Sequence, residues 1–500
     1  MRVAGLNGGA RDGAAAVAEG PRLVGVCAQE RVTRVRGMAG TAGLPTDALD
    51  LLLSRGGHAR RDVDEYVVVD GAGDGLPPGI APVTAFGHHH AHAGTAYLTS
   101  PFSSAAIVIC DADAPGTSVW LGSESTVTRV EWPATGPGFA PAYARVAAGL
   151  GFHTAAAGQR LEALARLEPE AREARVDALF EWRDGVLAVD PDLEARLEAW
   201  AGGGDDHGTL TRARLAASAQ ARLADLLLEL LRDVQQHLGV DRLCVGGTLF
   251  HRSFINTRVK RAGIFADVFV PIDPGNSGLA VGAALSALGT APAPVSPFLG
   301  PSYSAEEVKA VLDNCKLNYS WESEGGVIAA TVQALRAGHL VGWFDGGMEW
   351  GPRALGARSI LASPTQPYVL ENLNHFLKKR EPWRGYALAG TEAAVAEHFD
   401  GPERAPFMEC DYLPRDPARF RHVLPAAVAT VRVQTVGADG RPRFAHLLDA
   451  VGADSGLPFV VNTSFNGFHE PIVCSPRDAV RVFYGSGLDL LVMNQFVLRK

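Results

Sequence analysis

The chain has 500 residues, of which 47% are hydrophobic and 20% are charged, and its formal net charge at pH 7 is −9. This length and composition predict a soluble globular protein of two or three domains. The acidic balance argues against broad binding to nucleic acids or anionic membranes, both of which need a positive face. Six cysteines without CxxC spacing predict reduced thiols, and with no signal-peptide pattern and no membrane-length apolar run the expected location is cytoplasmic.

Two short predicted strands, residues 1–6 and 23–27, enclose a glycine-rich turn that carries Asp12. A strand, a glycine turn with an aspartate and a second strand are how actin-like nucleotide-binding folds begin. The pattern is weak evidence alone, and a further strand is predicted at residues 67–70.

Four histidines fall within five residues, at positions 88, 89, 90 and 92. In a helix, His88 and His92 lie one turn apart on one face, which is the arrangement that can hold a metal ion. A strand predicted at residues 105–110 ends on Asp111, where an acidic residue entering a glycine turn suits a metal–phosphate site. A structural role for a single histidine would be ordinary, but this cluster predicts a metal-binding or catalytic use.

From residue 161 to residue 238 the pattern is mostly helical, with an apolar stripe at helical period near its end. Two strand and glycine-turn units follow, at Gly246-Gly247 and at Asp273-Pro-Gly-Asn-Ser-Gly278, and an alanine-rich helix is predicted from Leu279 to Leu288. These repeated units predict a doubly wound α/β domain. Four prolines within residues 289–304 then mark a linker.

The second half carries clustered basic residues. A buried strand at residues 340–344 precedes a glycine turn with Arg353 and Arg358, and glycine turns with guanidinium groups can bind phosphate. The alternative is a plain turn with surface arginines. Lys378, Arg380 and Arg384 cluster further on, where either a solvated helix face or a shaped pocket fits the pattern.

A buried strand at residues 459–461 then breaks into Asn462-Thr-Ser-Phe-Asn466, whose hydroxyl and amide groups suit a nucleotide or acyl phosphate. The final residues, 488–498, are predicted as one strand.

Together these motifs resemble one family, the O-carbamoyltransferases of the nodulation/tobramycin type, over nearly the whole chain. In the first half the resemblance rests on His88-His89-x-x-His92-Ala93 followed by Ser100-Pro-Phe102. In the second half it rests on Gly351-Pro-Arg-Ala-Leu-Gly356, Arg358-Ser-Ile-Leu361, Lys378-x-Arg380-Glu381, Arg432-x-Gln434-Thr435 and Asn462-Thr-Ser-Phe-Asn466. Their order and spacing make the resemblance specific.

The resemblance implies an α/β chain of two domains. Residues 1–290 would form an actin-like, two-lobed (ASKHA) domain similar to the tRNA threonylcarbamoyl-transfer protein, residues 291–303 a linker, and residues 304–500 an α+β domain similar to the YrdC-like carbamoyl-adenylate-forming domain. Carbamoyl phosphate and ATP would give carbamoyl adenylate and pyrophosphate in the second domain. The carbamoyl group would then pass to a hydroxyl of a small molecule in the first domain, typical of antibiotic biosynthesis and other secondary metabolism.

The resemblance also implies the site residues. For carbamoyl phosphate and ATP they are Arg353, Arg358, Lys378, Arg380, Arg384, Arg432, Asn462, Ser464 and Asn466. In the first domain, Gly246, Gly247, Gly275 and Asn276 would bind a nucleotide. A divalent metal, Fe²⁺ or Mg²⁺, would be held by His88, His92 and Asp111. The catalytic residues would be Asp12, His89 and His92. The expected partner is a small hydroxyl acceptor, without nucleic acid or membrane, and a homodimer stays open.

The chain departs from the family pattern at five places. Arg11 replaces the histidine of the first loop, Asn276 replaces a metal-binding aspartate, and the loop after Asp111 lacks Gly-x-Gly-Glu. In the Gly-Gly…Asn…Asn pattern, His251 replaces the first asparagine and the second is displaced to Asn256. The segment before Arg432, residues 427–431, is shortened. Four of them lie in the first domain. Two alternatives therefore remain: a degenerate nucleotide-binding partner protein without transferase activity, and threonylcarbamoyl transfer to tRNA, against which the acidic charge argues.

Overall fold

A computed structural model describes residues 1–9, 11–39, 43–70, 79–80, 83–114, 116–133, 136–154, 156–202, 206–424, 430–437 and 442–500, without the side chains of residues 206 and 207. Most of the shortened segment before Arg432 lies outside these residues. Within the described part of the chain, no helix combines the length and the apolar character needed to cross a membrane.

The first lobe is built on a five-stranded sheet with the order β3-β2-β1-β4-β5. The first three strands form an antiparallel meander, and β4 and β5 continue the sheet parallel to β1. The elements are β1 (Arg2–Asn7), β2 (Ala14–Glu19), β3 (Arg22–Ala28), α1 (Gln29–Thr33), α2 (Thr46–Arg55), β4 (Glu65–Val69) and β5 (Val83–Phe86).

The second lobe repeats this topology, with the order β12-β11-β6-β7-β8. Strands β6 to β8 form the antiparallel meander, and β11 and β12 run parallel to β6. The elements are α3 (His88–Leu98), β6 (Ser104–Asp111), β7 (Gly116–Ser123), β8 (Thr126–Arg129), β11 (Arg242–Gly246), α9 (Ser253–Arg261), β12 (Asp267–Phe269) and α10 (Leu279–Leu288). Two sheets of identical strand order, with α3 and α10 packed together between them, are the actin-like architecture that the sequence predicted.

A helical insertion lies between β8 and β11. Its elements are α4 (Phe139–Gly149), α5 (Ala157–Ala165), α6 (Ala174–Asp177), β9 (Phe180–Arg183), β10 (Val186–Val189), α7 (Leu193–Ala201) and α8 (Asp206–Leu238). The predicted apolar stripe is buried on α8 and packs against α4, α5 and α7. The β9–β10 hairpin interrupts the region that the sequence predicted as mostly helical.

The C-terminal domain is an α+β domain on a ten-stranded mixed sheet, ordered β13-β22-β21-β14-β15-β20-β16-β19-β18-β17. Its strands are β13 (Ser320–Trp321), β14 (Val341–Phe344), β15 (Arg358–Ala362), β16 (Ala387–Thr391), β17 (Phe399–Asp400), β18 (Asp411–Pro414), β19 (Val431–Val436), β20 (Phe459–Ser464), β21 (Leu490–Met493) and β22 (Phe496–Arg499). Its helices are α11 (Ala305–Asn314), α12 (Glu324–Arg336), α13 (Val369–Glu371), α14 (Glu392–His398), α15 (Pro442–Ser455) and α16 (Pro476–Tyr484), with a π-helical turn at Asn372–Leu377 after α13.

Helix α11 begins at a reciprocal capping box, in which Glu307 N donates to Ser304 Oγ and Ser304 N donates to Glu307 Oε2. The single strand predicted at residues 488–498 is wrong, because Asn494, at φ 52°, turns the chain and the run becomes the antiparallel hairpin β21–β22. The polar pair Asn494-Gln495 interrupts the apolar run at this turn, and asparagine is a residue that tolerates positive φ.

Candidate functional site

Two histidines and an aspartate meet where α3 begins and β6 ends. His88 and His92 lie on one face of α3, and Asp111 is the last residue of β6. His88 Nε2 lies 3.2 Å from Asp111 Oδ2, and His92 Nε2 lies 3.7 Å from Asp111 Oδ1. One ligand atom from each of the three residues falls within 4.8 Å of the others. The structure thus brings together the three residues predicted to bind a metal.

The state of these side chains fits a divalent cation. Buried His92 Nε2 has no hydrogen-bond partner, and burial lowers the pKa of His92 to about 3, so its imidazole is neutral at pH 7. Burial alone would raise the pKa of Asp111, but bonding to His88 and the nearby His92 lower it well below its usual range. A neutral imidazole and a carboxylate are the forms that bind metals.

Asp70, which the sequence analysis did not single out, orients His88. Its Oδ1 accepts a hydrogen bond from His88 N at 2.8 Å, and its Oδ2 lies 3.2 Å from His88 Nδ1. The residue directly follows β4 in a left-handed conformation, at φ 58°. A carboxylate behind a metal-binding histidine fixes the ring and its tautomer. The available signal was an aspartate at a strand end.

His89, predicted as catalytic, is not part of this cluster. Its Nδ1 lies 2.7 Å from Ser118 Oγ, and its Nε2 lies 2.8 Å from the Ala114 carbonyl oxygen. Because a carbonyl only accepts, Nε2–H donates to Ala114 and Nδ1 accepts from Ser118. Both ring nitrogens are therefore committed to holding the loop that follows Asp111.

Three loops close on one another beside the cluster, through Arg11, Asp113 and Asn276. Arg11 Nη2 and Asn276 Nδ2 each donate to Asp113 Oδ2 at 2.7 Å, while buried Asn276 Oδ1 has no hydrogen-bond partner. Asp113 thus supplies a carboxylate next to the position at which the family pattern has one. Asp12, predicted as a base, stands beside Arg11 at 3.9 Å, and burial raises its pKa.

The glycines predicted to bind a nucleotide pack the loops of the second lobe closely. Gly247, which follows Gly246 at the end of β11, has φ 94°, and a Cβ there would lie 2.2 Å from the Cys110 carbonyl oxygen. The next residue, Thr248, donates its N–H to Asp111 Oδ1 at 2.9 Å. Gly275 allows a similar approach to His251. These glycines therefore fix the loops around Asp111.

A second site, which we name the arginine pocket, lies between α5 of the N-terminal domain and the sheet of the C-terminal domain. Its described lining contains six arginines and one carboxylate, from Arg36, Arg166, Arg353, Arg380, Arg384, Arg432 and Glu162. Asn462 and Ser464 line the same pocket, and Trp383, Tyr386, Met408, Val423 and Leu424 give it an apolar side. Six of the nine residues predicted for carbamoyl phosphate and ATP are therefore in the lining.

Three of the arginines lack sufficient compensating charge. Loss of hydration, followed by the neighbouring cations Arg432 and Arg252, holds the pKa of Arg353 well below its usual value. Burial and nearby Arg380 lower the pKa of Arg384 to about 10, and burial also lowers the pKa of Arg380. A lowered arginine pKa means that the charged form is disfavoured, so an anion in the pocket would relieve the repulsion.

Arg166 and Arg432 are already paired across the domain interface. Arg432 Nη2 donates to Glu162 Oε2 at 3.0 Å, and Arg166 Nη2 donates to Asp411 Oδ1 at 3.0 Å. Both arginines also donate to Ser253 Oγ. Arg166 and Glu162 were missed by the sequence analysis, because only the tertiary structure brings α5 to this pocket.

Lys378 and Asn466 position the pocket wall but are not among its described lining. Lys378 Nζ donates to the Ser464 carbonyl oxygen at 2.6 Å and to Asn466 Oδ1 at 2.7 Å. Asn374, on the π-helical turn, accepts from Arg380 Nε and donates to the Arg384 carbonyl oxygen. These amide and ammonium groups fix the segments that carry Ser464, Arg380 and Arg384.

Arg358 corrects the prediction of a paired anion site with Arg353. It is the first residue of buried strand β15 and is fully buried. Its guanidinium donates to the carbonyl oxygens of Asp345, Ala357 and Pro301 and stacks on Phe344, 3.6 Å from the ring centroid. These contacts give it a structural role outside the arginine pocket.

Two family models match separate parts of the chain. Residues 79–285 match the family model "Carbamoyltransferase N-terminus", and residues 332–500 match "Carbamoyltransferase C-terminus". The uncharacterized protein sll1178 of Synechocystis is 29% identical over 86% of this chain and 78% of its own length. Nodulation protein U of Sinorhizobium fredii is 26% identical over 93% and 94%. Nodulation protein NolO of Bradyrhizobium diazoefficiens is 33% identical over 57% of this chain, but the alignment spans only 54% of that relative.

Solved structures are less similar. Full-length HypF in the phosphate- and nucleotide-bound form has a TM-score of 0.42 and 13% identity, covering 58% of this chain and 55% of that one. The activator of the 2-hydroxyisocaproyl-CoA dehydratase from Clostridium difficile has a TM-score of 0.39 and 17% identity, covering 58% and 94%.

Proposed function

Because the chain belongs to the carbamoyltransferase family and is a carbamoyltransferase, we propose that it moves the carbamoyl group of carbamoyl phosphate to a hydroxyl of a small molecule and consumes ATP. The observation that carries this proposal is the arginine pocket, with six arginines against one carboxylate in its described lining. Carbamoyl phosphate and ATP together bring about six negative charges, which several fixed cations must compensate.

In the arginine pocket, carbamoyl phosphate and water give carbamate and phosphate. The carbamate oxygen then attacks the α-phosphorus of ATP and displaces pyrophosphate, which leaves carbamoyl adenylate. Arg353, Arg380 and Arg384 stabilise the charge that develops on the phosphoryl oxygens, because their own repulsion falls as the anions bind. The apolar side formed by Trp383, Tyr386 and Met408 accepts the base and limits the access of water to the adenylate.

The acceptor hydroxyl reacts at the cluster of His88, His92 and Asp111. Two imidazoles and one carboxylate favour Fe²⁺ over Mg²⁺, which prefers oxygen ligands. When bound there, the metal supplies a Lewis acid that polarises an oxygen. Asp70 holds the His88 ring in place through its two contacts at 2.8 and 3.2 Å, so the cluster keeps its geometry while the acceptor enters.

The charge distribution favours a small acceptor over a nucleic acid. Four of the six pocket arginines, at positions 353, 380, 384 and 432, belong to the C-terminal domain and line an interdomain pocket, and the net charge is −9. Binding of tRNA depends on an exposed positive surface. A small molecule is therefore the preferred acceptor class, and we propose a natural product of secondary metabolism.

The proposal is tested by pyrophosphate release. We expect the purified chain, incubated with carbamoyl phosphate, ATP and Mg²⁺, to release pyrophosphate only when both substrates are present. Arg353→Gln should lower this rate at least about 100-fold, because it removes a charge-stabilising donor. Arg336→Gln is the matched control, since Arg336 is 65% exposed on α12. Equal rates for both variants, or no pyrophosphate from the unmodified chain, would overturn the proposal.

A further inference from the structure

His251 lies between the metal-binding cluster and the arginine pocket. It ends the short 3₁₀ turn Thr248–His251 that follows β11, and its carbonyl oxygen accepts a hydrogen bond from Arg353 Nη2 at 3.1 Å. Its side chain is 19% exposed and faces the loop that carries Asp273. The family pattern has asparagine at this position, so the imidazole here departs from that pattern.

The His251 ring and the Asp273 carboxylate are spaced for a bridging hydroxyl. His251 Nε2 lies 3.9 Å from Asp273 Oδ1, which is too long for a direct hydrogen bond. One hydroxyl oxygen can nevertheless lie about 2.8 Å from both atoms, the ordinary hydrogen-bond length. Gly275 N donates to Asp273 Oδ1 at 2.9 Å, which fixes the carboxylate. A Cβ at Gly275 would lie 2.3 Å from His251 Nε2, so this glycine sets how closely the loop approaches the ring.

The surroundings keep His251 uncharged. Loss of hydration holds its pKa well below the usual value, the cations Arg252, Arg353 and Arg432 add to this effect, and Asp111 opposes it. A neutral imidazole can accept a proton.

The surroundings of Asp273 bring the pKa of its carboxyl group close to neutral pH. Burial raises its pKa to about 7, with Asp12 adding to the shift and Arg31 opposing it. A group whose pKa lies near the working pH is suited to general acid–base catalysis.

The other candidate bases have different roles. Asp12 stands beside Arg11, and both ring nitrogens of His89 are hydrogen-bonded. His88 and His92 belong to the metal-binding cluster. The histidine that the family pattern has in the first loop is replaced by Arg11, so the chemistry of hydroxyl attack calls for a base elsewhere.

We propose that His251 and Asp273 together accept the proton of the acceptor hydroxyl. The O–H bond of the acceptor breaks as its oxygen forms a bond to the carbamoyl carbon, and the proton passes to His251 Nε2 beside Asp273. The bond between the carbamoyl carbon and the oxygen of AMP then breaks, AMP leaves with the electron pair, and the proton returns to solvent. This inference rests on the proposed function, because it needs carbamoyl adenylate as the donor.

The test separates the two half-reactions. We would measure pyrophosphate release in the first turnover, AMP release to water as the hydroxyl probe, and hydroxyurea formation with hydroxylamine, which attacks without prior loss of a proton. The variants are His251→Asn, Asp273→Asn and, as a control, His446→Asn, whose parent side chain is 62% exposed. Each would be assayed from pH 5.5 to 9.

We expect His251→Asn and Asp273→Asn to slow AMP release to water about 100-fold. In the unmodified chain, protonation of the pair should slow AMP release to water below about pH 7. Both variants should lack this fall in rate. Pyrophosphate release in the first turnover and hydroxyurea formation should stay within about threefold, which also shows that the variants fold.

An unchanged rate or pH profile of AMP release in both variants would overturn the inference, as would an equal loss with water and hydroxylamine. Absence of pyrophosphate from the unmodified chain would instead contradict the proposed function, and the inference with it.

Discussion

Arg432 of β19 donates a hydrogen bond from Nη2 to Oε2 of Glu162 on α5, across 3.0 Å. Glu162 is the acidic residue among the described lining residues of the arginine pocket, and it therefore comes from the other domain. The Glu162 side chain is 2% exposed. Burial would raise its pKa, but Arg166 and Arg432 outweigh this and lower it. This pair joins the pocket wall on β19 to α5.

Removing the charge of Glu162 should lower the stability of the fold and raise the affinity for ATP. Glu162→Gln keeps the side-chain size but leaves Arg166 and Arg432 with one acid fewer. We expect the free energy of unfolding to fall by about 3 kcal/mol and ATP to bind at least about threefold more tightly, because Arg432 is released. Urea unfolding and titration calorimetry measure these effects, with Glu194→Gln on α7 as an exposed-pair control. Unchanged or weaker ATP binding would contradict the expectation.

The same residue predicts a pH dependence of stability. A carboxyl group with a lowered pKa in the folded state stabilises fully above its unfolded pKa, about 4.3, and loses that contribution as the pH falls toward its folded pKa. The difference in unfolding free energy between the unmodified chain and Glu162→Gln should therefore shrink between pH 6 and pH 3. Urea unfolding at several pH values tests this, and a constant difference would show that the Glu162 pKa is not lowered.

Arg353 and Arg358 should respond in opposite ways to substitution. Arg358→Met removes donors from three buried carbonyl oxygens and should destabilise the chain by about 3 kcal/mol or more. Arg353→Gln relieves repulsion among cations, so its melting temperature should stay the same or rise. ATP should raise the melting temperature of the unmodified chain but not that of Arg353→Gln. Equal destabilisation by Arg358→Met and Arg353→Gln would contradict the structural role of Arg358 and the binding role of Arg353.

Metal binding should depend on the histidine pair and on Asp70 to different degrees. His88→Ala and His92→Ala each remove a ligand and should abolish stoichiometric Fe²⁺ binding. Asp70→Asn leaves the ligands but weakens the orientation of His88, and should lower the affinity about 10- to 100-fold. Equilibrium dialysis followed by metal analysis measures this, with the exposed His446→Ala as the control. Retention of one Fe²⁺ per chain by His92→Ala would exclude this metal site.

Local sequence patterns were enough to predict that His88, His92 and Asp111 lie together, and metal binding by them stays a prediction. The spacing of His88 and His92 requires only helix geometry, and the position of Asp111 requires only that an apolar strand end there. The repeated strand and glycine-turn units likewise predicted an α/β domain, and Ser304 marked the start of α11. Each of these features depends on residues close together in the chain.

Features that depend on distant packing were not predictable. The arginine pattern around residue 353 does not reveal that Arg358 enters buried strand β15, because arginine is rarely fully buried. Arg36, Arg166 and Glu162 join the pocket only because the N-terminal domain packs against the C-terminal sheet. His89 similarly lies on the face of α3 that Ser118 and Ala114 cover, which a histidine count cannot show.

We propose that the two sites act in sequence within one chain, and a rapid-quench experiment with [¹⁴C]carbamoyl phosphate and ATP separates their steps. We predict that His88→Ala forms carbamoyl adenylate at the rate of the unmodified chain and accumulates it, since the donor site is intact. Arg353→Gln should form none. Loss of adenylate formation in His88→Ala would contradict this sequence of two sites. So would the absence of carbamoyl adenylate from every variant and from the unmodified chain.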